Sequence, residues 1–297
     1  MAVASANVAR DQSERKGVAG RIGAVVAKGP LHVFLIAIAL FWLTPTFGLA
    51  ISSLRTAENF SESGWWNALF DPRQLTLEPY KEMLGNDPLI TALLNTVKIV
   101  LPSSLAVVVI AALAAYAFAW LDFKGREIVF VIVVGLLVVP LQMALIPVAR
   151  LFGMAGIFGT VWAAILFHVA FGLPFAIFLL RNFFIGIPRD LLEAARIDGA
   201  SEWQIFRSIV LPLGMPAIAA LAIFQFIWTW NDLLVALVFA PGESAPLNVY
   251  IRSLMRQYGT SIDIIAPGAF ISMIIPVLVF FTFQRYFVQG ILAGSIK

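Results

Sequence analysis

Residues 193–216 read "EAARIDGASEWQIFRSIVLPLGMP", a polar stretch between two long apolar runs. Each apolar run is long enough to cross a bilayer, since a membrane-spanning helix needs about 20 mostly apolar residues. Good helix formers open the polar stretch, and Gly199 stands where a left-handed cap would end that helix. Ser201 and Gln204 have the spacing of a capping box, which predicts a second helix to about Val210. The stretch therefore predicts two short helices joined by a fixed bend.

The start and end of this bent segment also have recognisable signals. Pro188 is well placed at the start of the first helix, while Pro212 should break the second. Arg189 and Glu193 are four residues apart, and Glu193 and Arg196 are three apart, so both pairs can form on the helix surface. A simple connection between two membrane helices needs only a few polar residues. This longer, rigid segment predicts docking to another protein.

Composition assigns the chain to a membrane. Of 297 residues, 61% are hydrophobic and 12% are charged, with a mean hydropathy of +0.92. These proportions leave too little polar surface to cover a soluble protein of this length. Cysteine is absent, which excludes disulfides, thiolate metal sites and a cysteine nucleophile. We expect an all-α integral membrane protein.

Six stretches are long and apolar enough to span the hydrocarbon core. They are Leu31–Ser52, Thr96–Trp120, Ile128–Val148, Gly159–Leu180, Pro216–Ala240 and Ile264–Phe287. Lysine and arginine are in excess in the segments that lie inside if the N-terminus is cytoplasmic. The positive-inside rule then predicts that both termini face the cytoplasm. The basic character of the chain is explained by this topology, and no nucleic-acid partner is expected.

Four prolines lie inside the predicted spans and should bend them: Pro140, Pro147, Pro174 and Pro276. Bent helices with small residues suit a close-packed bundle around a pathway. A structural bundle without a pathway would have the same features, so the prolines leave both possibilities open.

The chain divides into three expected parts. Residues 1–30 are polar and basic and should form a largely disordered cytoplasmic tail. Residues 31–78 hold the first span and an acidic external loop with Phe60, Trp65 and Trp66. Those aromatic residues are either interfacial anchors or a contact surface for an external partner. Residues 79–297 should form the core, with the bent segment at 186–213.

The bent segment is similar to the EAA motif of permease subunits of ATP-binding cassette importers. In that motif, Glu-Ala-Ala, an acidic residue followed by glycine, and Ile-x-Leu-Pro recur at fixed spacing. The matching residues here are Glu193, Ala194, Ala195, Asp198, Gly199, Ala200, Phe206, Ile209, Leu211, Pro212 and Pro216. The resemblance implies that the first helix is a coupling helix, which sits in a groove on a cytoplasmic ATPase subunit.

The resemblance extends from about Pro79 to the C-terminus. The stretches "VGLLVVPLQMALIP", "FQFIWTWNDLLVALVF" and "FQRYFVQGILAGSIK" resemble the smaller permease subunit of maltose-type carbohydrate importers, and more closely the α-glucoside permeases. This implies a type I importer permease fold in a bacterial inner membrane, forming one half of a pore. It also implies four kinds of partner: a second permease subunit, an ATPase dimer, an external sugar-binding protein and membrane lipid. The tail Gln289–Lys297 is implied to reach into the ATPase dimer.

The sequence contains no phosphate-binding loop ending in Gly-Lys-Ser/Thr, so ATP and Mg²⁺ are expected on the partner ATPase. No cofactor is expected on this chain. One rival is an ion-coupled secondary transporter, which would use Asp232, the only carboxylate deep in a predicted span. A membrane enzyme is a further class, but His32 and His168 have no recognisable nucleophile or metal spacing.

Candidates for a sugar pathway lie mainly on the fifth predicted span. Gln225, Thr229 and Asp232 are four and three residues apart, which places them on one helix face. Polar groups facing lipid cost several kcal/mol, so this face should meet protein or water. It either bonds neighbouring helices or lines the sugar path, with Trp228 or Trp230 offering a flat apolar surface. The further candidates are Asn231, Gln142 and His168.

Overall fold

A computed structural model describes residues 29–85, 87–258 and 262–293, and its regular structure in those ranges is entirely helical. Most of the expected N-terminal tail and the end of the expected C-terminal insertion lie outside the described residues. The α-helices are α1 Gly29–Ser52, α2 Ala57–Glu62, α3 Glu78–Leu84, α4 Asp87–Trp120, α5 Arg126–Gly135, α6 Leu141–Met154, α7 Val161–Phe184, α8 Arg189–Ile197, α9 Glu202–Ile205, α10 Leu211–Asn231, α11 Leu234–Phe239, α12 Leu247–Tyr258 and α13 Ile262–Ala293.

Five helical stretches in the described part of the chain are long and apolar enough to cross a membrane. They are Gly29–Ser52, Asp87–Trp120, Val161–Phe184, Glu202–Asn231 and Ile265–Gln284. A sixth span results if the bent pair α5–α6 counts as one. The prediction of an all-α membrane protein with six spans is confirmed on that count. The orientation of the termini stays a prediction.

The third predicted span is not one straight helix. The stretch Arg126–Val138 and helix α6 meet at an angle of 103°. The break falls at Pro140, which has extended backbone angles of φ −64° and ψ 126° at the start of α6. Because proline has no N–H and restricts the residue before it, the helix ends in a short 3₁₀ turn at Leu136–Val138. The prolines predicted a bend, but this change of direction is much larger.

The fifth predicted span ends at Asn231 and not at Ala240. Asp232 has an extended backbone, and its carboxylate accepts hydrogen bonds from the N–H groups of Val235 (3.4 Å) and Ala236 (3.0 Å). It therefore caps the start of α11. The amide of Asn248 donates to the carbonyl of Trp230 at 2.8 Å, which satisfies a helix-end group. The predicted span is thus two helices, and Asp232 does not continue the helical face of Gln225.

The prediction that Pro212 breaks the second short helix is wrong. Residues Glu202–Asn231 run as one helical stretch, with a π turn at Phe206–Val210. The π turn carries one extra residue ahead of α10 and leaves Pro212 in the first turn of that helix. A missing N–H is tolerated there. The second span also differs, since α4 begins at Asp87, nine residues before the predicted Thr96.

Residues 53–85, which follow α1, form a cap. Arg55 is fully buried, and its guanidinium donates to the carbonyls of Ser63 (3.0 Å) and Asn59 and to the amide oxygen of Gln74 (2.8 Å). Burial lowers the pKa of Arg55 below its ordinary value. Trp65 packs edge-on against Phe47 of α1 at 6.0 Å. The Trp65–Phe47 contact fixes the cap to the C-terminal part of α1.

The main core lies between α4, α7 and α10. Small residues allow close approach there. A Cβ atom on Gly214 of α10 would lie 2.6 Å from the Cε1 atom of Phe184, whose ring is fully buried. Gly214 therefore sets the distance between α7 and α10 beside the bent segment.

Replacing Gly214 by alanine should lower stability by about 1–3 kcal/mol, because the buried ring has no free space to move into. The measurement is thermal unfolding of the purified subunit in detergent micelles. Gly153→Ala is the matched control, since Gly153 is also helical and a Cβ atom there meets nothing within 4 Å. An equal effect of the two substitutions would contradict the packing argument.

Candidate functional site

The bend in the segment 186–213 is a complete helix cap. Gly199 has φ +82°, the left-handed conformation that its position predicts. The N–H of Ala200 donates to the carbonyl of Ala195 at 2.9 Å, and the N–H of Gly199 donates to the carbonyl of Arg196 at 3.1 Å. These two bonds form a Schellman motif at the end of α8. The bend is therefore set by backbone geometry that favours glycine.

The second helix begins at the predicted capping box. The Ser201 hydroxyl accepts from the Gln204 N–H at 3.4 Å, and the Gln204 side-chain oxygen accepts from the Ser201 N–H at 2.7 Å. The predicted pair of Arg189 and Glu193 is present at 2.7 Å. Arg196, however, pairs with Glu202 at 2.9 Å and not with Glu193. The hydrogen bonds to Glu202 raise the pKa of Arg196 above its ordinary value.

The residues that match the EAA motif divide into two groups. Four of them are exposed on the outer side of the bend: Glu193, Ala194, Asp198 and Gly199. Five are buried or half-buried toward the bundle: Ala195, Ala200, Phe206, Ile209 and Leu211. Pro212 is exposed at the start of α10. The motif thus has one exposed surface and one set of side chains that pack against the helix bundle.

Apolar side chains are also exposed on the outer side of the bent segment, and three of them are large. Leu191, Ala194 and Ile197 lie three residues apart along α8, and Ile197 is 86% exposed. Trp203 lies just beyond the bend and is 60% exposed. We call Leu191, Ala194, Ile197 and Trp203 the docking face. Sequence reasoning missed Leu191, Ile197 and Trp203. The three-residue spacing of Leu191, Ala194 and Ile197 on a highly charged helix was a usable signal for the first two.

A cavity of about 530 Å³ lies between α7, α10 and the break that separates α5 from α6. Its walls are mainly aliphatic and aromatic, with Gln225 and His168 as the polar side chains. Phe175, Phe224 and Trp228 form a row of rings, with centroids 5.1 Å and 5.6 Å apart along the row. Such a wall provides flat apolar faces next to an amide and an imidazole.

The side chain of Gln225 reaches the cavity because Gly172 of α7 has no side chain in its way. A Cβ atom there would lie 3.0 Å from the Gln225 side-chain oxygen. The Gln225 amide donates to the Thr229 hydroxyl at 3.2 Å, and both residues are buried. The amide is thus held in one orientation while its residue forms part of the cavity wall.

The structure separates the other pathway candidates. Trp230 is buried, and its N–H donates to the Ser272 carbonyl at 2.9 Å. Asp232 lies 3.6 Å from the imidazole of His168, with its carboxylate capping α11.

Asn231 faces a second groove, beside Asn248 and Ser272. Gln142 is exposed and lies outside the cavity wall. Of the predicted residues, the cavity therefore brings together Gln225, Trp228 and His168.

Residues 107–293 match the family described as "Binding-protein-dependent transport system inner membrane component". The chain is 47% identical over 275 residues to the "Osmoprotective compounds uptake permease protein GgtD" of Synechocystis sp., covering 91% of this chain and 92% of the relative. It is 47% identical over 236 residues to the "Alpha-glucoside transport system permease protein AglG" of Rhizobium meliloti, covering 76% of this chain and 61% of the relative.

A solved structure shares the fold. It is described as "Crystal structure of a bacterial ABC transporter involved in the import of the acidic polysaccharide alginate" and matches with a TM-score of 0.75. The identity is 21%, with 89% of this chain and 98% of that chain covered. At this identity the likeness establishes the fold alone.

The helical spans, the capped bend and these matches define a subunit of a membrane transporter. The chain belongs to the family of inner membrane components of binding-protein-dependent transport systems. The predicted resemblance to permeases of ATP-binding cassette importers is confirmed. The chain is a permease component and not an enzyme, and ATP hydrolysis belongs to a separate ATPase.

Proposed function

We propose that the chain is one of two permease subunits of an importer that moves a sugar, such as an α-glucoside oligosaccharide, across a bacterial inner membrane. The similarity to an α-glucoside permease supports the sugar class, and the family supports the importer class. ATP and Mg²⁺ bind to a partner ATPase dimer, and an external binding protein delivers the sugar. A second permease subunit completes the pathway, and lipid surrounds the remaining apolar surface.

The observation that carries this proposal is the docking face. Ile197 and Trp203 are exposed on a segment whose inner side is anchored by fully buried Leu192. Exposed apolar side chains rimmed by charges are typical of protein interfaces. Charged Arg189 and Glu193 lie beside them on α8. In the proposed orientation this surface faces the cytoplasm and enters a groove on the ATPase.

Alternating access then follows from the continuity of the helices. ATP binding closes the ATPase dimer and carries α8 with it. The helical stretch Glu202–Asn231 extends from the bend to the cavity, so a displacement at its first turn reaches Gln225 and Trp228. ATP and the loaded binding protein each shift the equilibrium only through higher affinity for the outward-facing state.

The cavity is the proposed sugar site on this subunit. The amide of Gln225 can donate to and accept from sugar hydroxyls. The face of Trp228 provides an apolar surface for the ring of the sugar, whose C–H groups need no hydrogen bond. His168 adds a second polar group at the wall.

Trp228→Ala should raise the sugar concentration for half-maximal uptake about three- to tenfold, because it removes the stacking surface and leaves the fold intact. The measurement is labelled-sugar uptake by proteoliposomes that contain the whole importer. Trp162→Ala is the matched control, since Trp162 is also exposed on a spanning helix but lies outside the cavity wall. Equal half-maximal concentrations for wild type and Trp228→Ala would remove Trp228 from the sugar path.

The rival function is ion-coupled secondary transport through Asp232. The geometry gives that carboxylate other partners, because it caps α11 and lies beside His168. Uptake in sealed vesicles separates the two functions. We expect no uptake with an imposed ion gradient in the absence of the ATPase, whereas gradient-driven uptake would establish the rival. A panel of labelled sugars offered to the complete importer identifies the substrate.

A further inference from the structure

Helix α8 is attached to the bundle by a small number of contacts. Leu192 is fully buried in the main core, and Ala195 packs partly against it. The rest of the helix surface is largely exposed, including Ile197 at its end. The bend that follows contains Gly199, whose Cβ-free backbone has open space around it. These apolar contacts hold α8 in place, but they do not fix its angle to the helix that follows.

A polar cluster crosses this bend. Arg196 precedes Gly199, and Glu202 follows it. The guanidinium of Arg196 donates to both carboxylate oxygens of Glu202, at 2.9 Å and 3.3 Å. The two residues therefore close a small ring around the glycine with a bidentate, charge-assisted pair.

The same cluster includes the end of α4. The hydroxyl of Tyr116 donates to Glu202, and Arg196 donates to the carbonyl of Trp120 at 3.3 Å. Tyr116 is buried, and its ring lies 5.3 Å from the ring of Phe206. Glu202 thus accepts hydrogen bonds from two side chains on different elements. A cation next to the last carbonyls of α4 is favoured by the helix dipole.

We propose that Tyr116, Arg196 and Glu202 form a clamp that makes α8 move as one body with α4 and α9, so that ATPase movement reaches the membrane helices. This inference rests on the proposed function, and it assigns these residues as positioning residues. Without the clamp, only the two backbone hydrogen bonds of the Schellman motif hold the angle of the bend, and a change in that angle would absorb part of the movement of α8. The ATPase would then complete cycles that do not switch the permease.

The test uses the complete importer in proteoliposomes, with ATP hydrolysis and sugar uptake measured together. Glu202→Gln keeps the side-chain shape and removes the charge that binds Arg196. We expect the number of ATP molecules hydrolysed per sugar transported to rise about two- to tenfold. Tyr116→Phe removes a single hydroxyl and should raise the ratio less, with no change in assembly. It keeps the test valid if Glu202→Gln does not assemble.

Asp122→Asn is the matched control. It removes an ion pair with Arg126 in the connection that follows α4, and it does not touch the bend. The number of ATP molecules hydrolysed per sugar transported should equal that of the wild type. A merely structural role of the clamp would lower hydrolysis and uptake together and leave their ratio constant, which would overturn the proposal. An unchanged ratio in both clamp variants would also overturn it.

A second measurement reports directly how rigidly α8 is held relative to α4. Because this chain contains no cysteine, spin labels attach to it only at introduced sites, so the purified permease subunit can be labelled before assembly. Asp190→Cys and Lys124→Cys place one label on α8 and one in the connection after α4. The distance distribution between the labels should widen in Glu202→Gln and stay narrow in Asp122→Asn. Equal widths would overturn the clamp. A wild-type importer without ATP-dependent uptake would instead overturn the proposed function.

Discussion

Replacement of Gly199 by valine should strongly reduce sugar uptake while the permease stays inserted in the membrane. Gly199 has φ +82°, a conformation that costs an L-residue about 1–2 kcal/mol and a β-branched residue more. A Cβ atom at this position meets nothing within 4 Å, so the effect is conformational and not a clash. The bend would open, and α8 would lose its orientation toward the ATPase. We expect uptake to fall at least about tenfold.

Gly199→Asn is the informative companion variant. Asparagine adopts the left-handed conformation more readily than other non-glycine residues, so Gly199→Asn should keep much of the uptake. Membrane insertion is followed by the yield of the assembled complex after purification. Wild-type uptake by Gly199→Val would contradict the role of the bend. Equal losses in the valine and asparagine variants would show that conformation is not the cause.

A charge placed on the docking face should have a similarly large effect. Ile197→Glu introduces a carboxylate at an 86% exposed position, so the fold of the permease has no reason to change. In the complex, however, that carboxylate would be buried against the apolar groove of the ATPase without a partner. Burying an unpaired charge at an interface costs several kcal/mol, so the affinity for the ATPase should fall about 100-fold or more. The measurement is co-purification with the ATPase and its dissociation constant.

The matched control lies at the opposite end of the chain's fold. Phe70 is also 86% exposed, but it belongs to the cap between α1 and α4. Phe70→Glu should leave ATPase binding unchanged. If Ile197→Glu binds the ATPase with wild-type affinity, the docking face is elsewhere.

Local signals predicted the bent segment well. The cap at Gly199 and the capping box at Ser201 depend on residues close in sequence, so short-range rules describe them. The pairing of Arg196 was not predictable in this way. Its partner Glu202 is reached across the bend, which brings the start of α9 back beside the end of α8. Its partner Trp120 is reached because α4 ends beside the bend, which is a tertiary arrangement.

The apolar runs predicted the existence of the spans better than their ends. Hydropathy is an average over a window and does not register one residue that leaves the helix, which explains the missed break at Asp232. The sharp turn at Pro140 was not predicted for a different reason, since proline predicts a kink but not its angle. The extra residue in the π turn at Phe206–Val210 had no sequence signal that we could identify.

The candidate pathway shows the limit of helical periodicity. Gln225 and Thr229 do share a face, and they bond each other. The cavity, however, depends on residues from three different elements, among them His168 and the ring of Phe175. Periodicity along one helix cannot place those side chains opposite Trp228.

Whether uptake requires ATP separates an ATP-driven importer from an ion-coupled transporter. The complete importer is reconstituted in proteoliposomes with a labelled α-glucoside and its binding protein, and uptake is measured with and without ATP on the ATPase side. We expect uptake that requires both ATP and the binding protein and that is strongly reduced in Gly199→Val. Uptake that proceeds equally without ATP, driven by an ion gradient, would contradict this expectation.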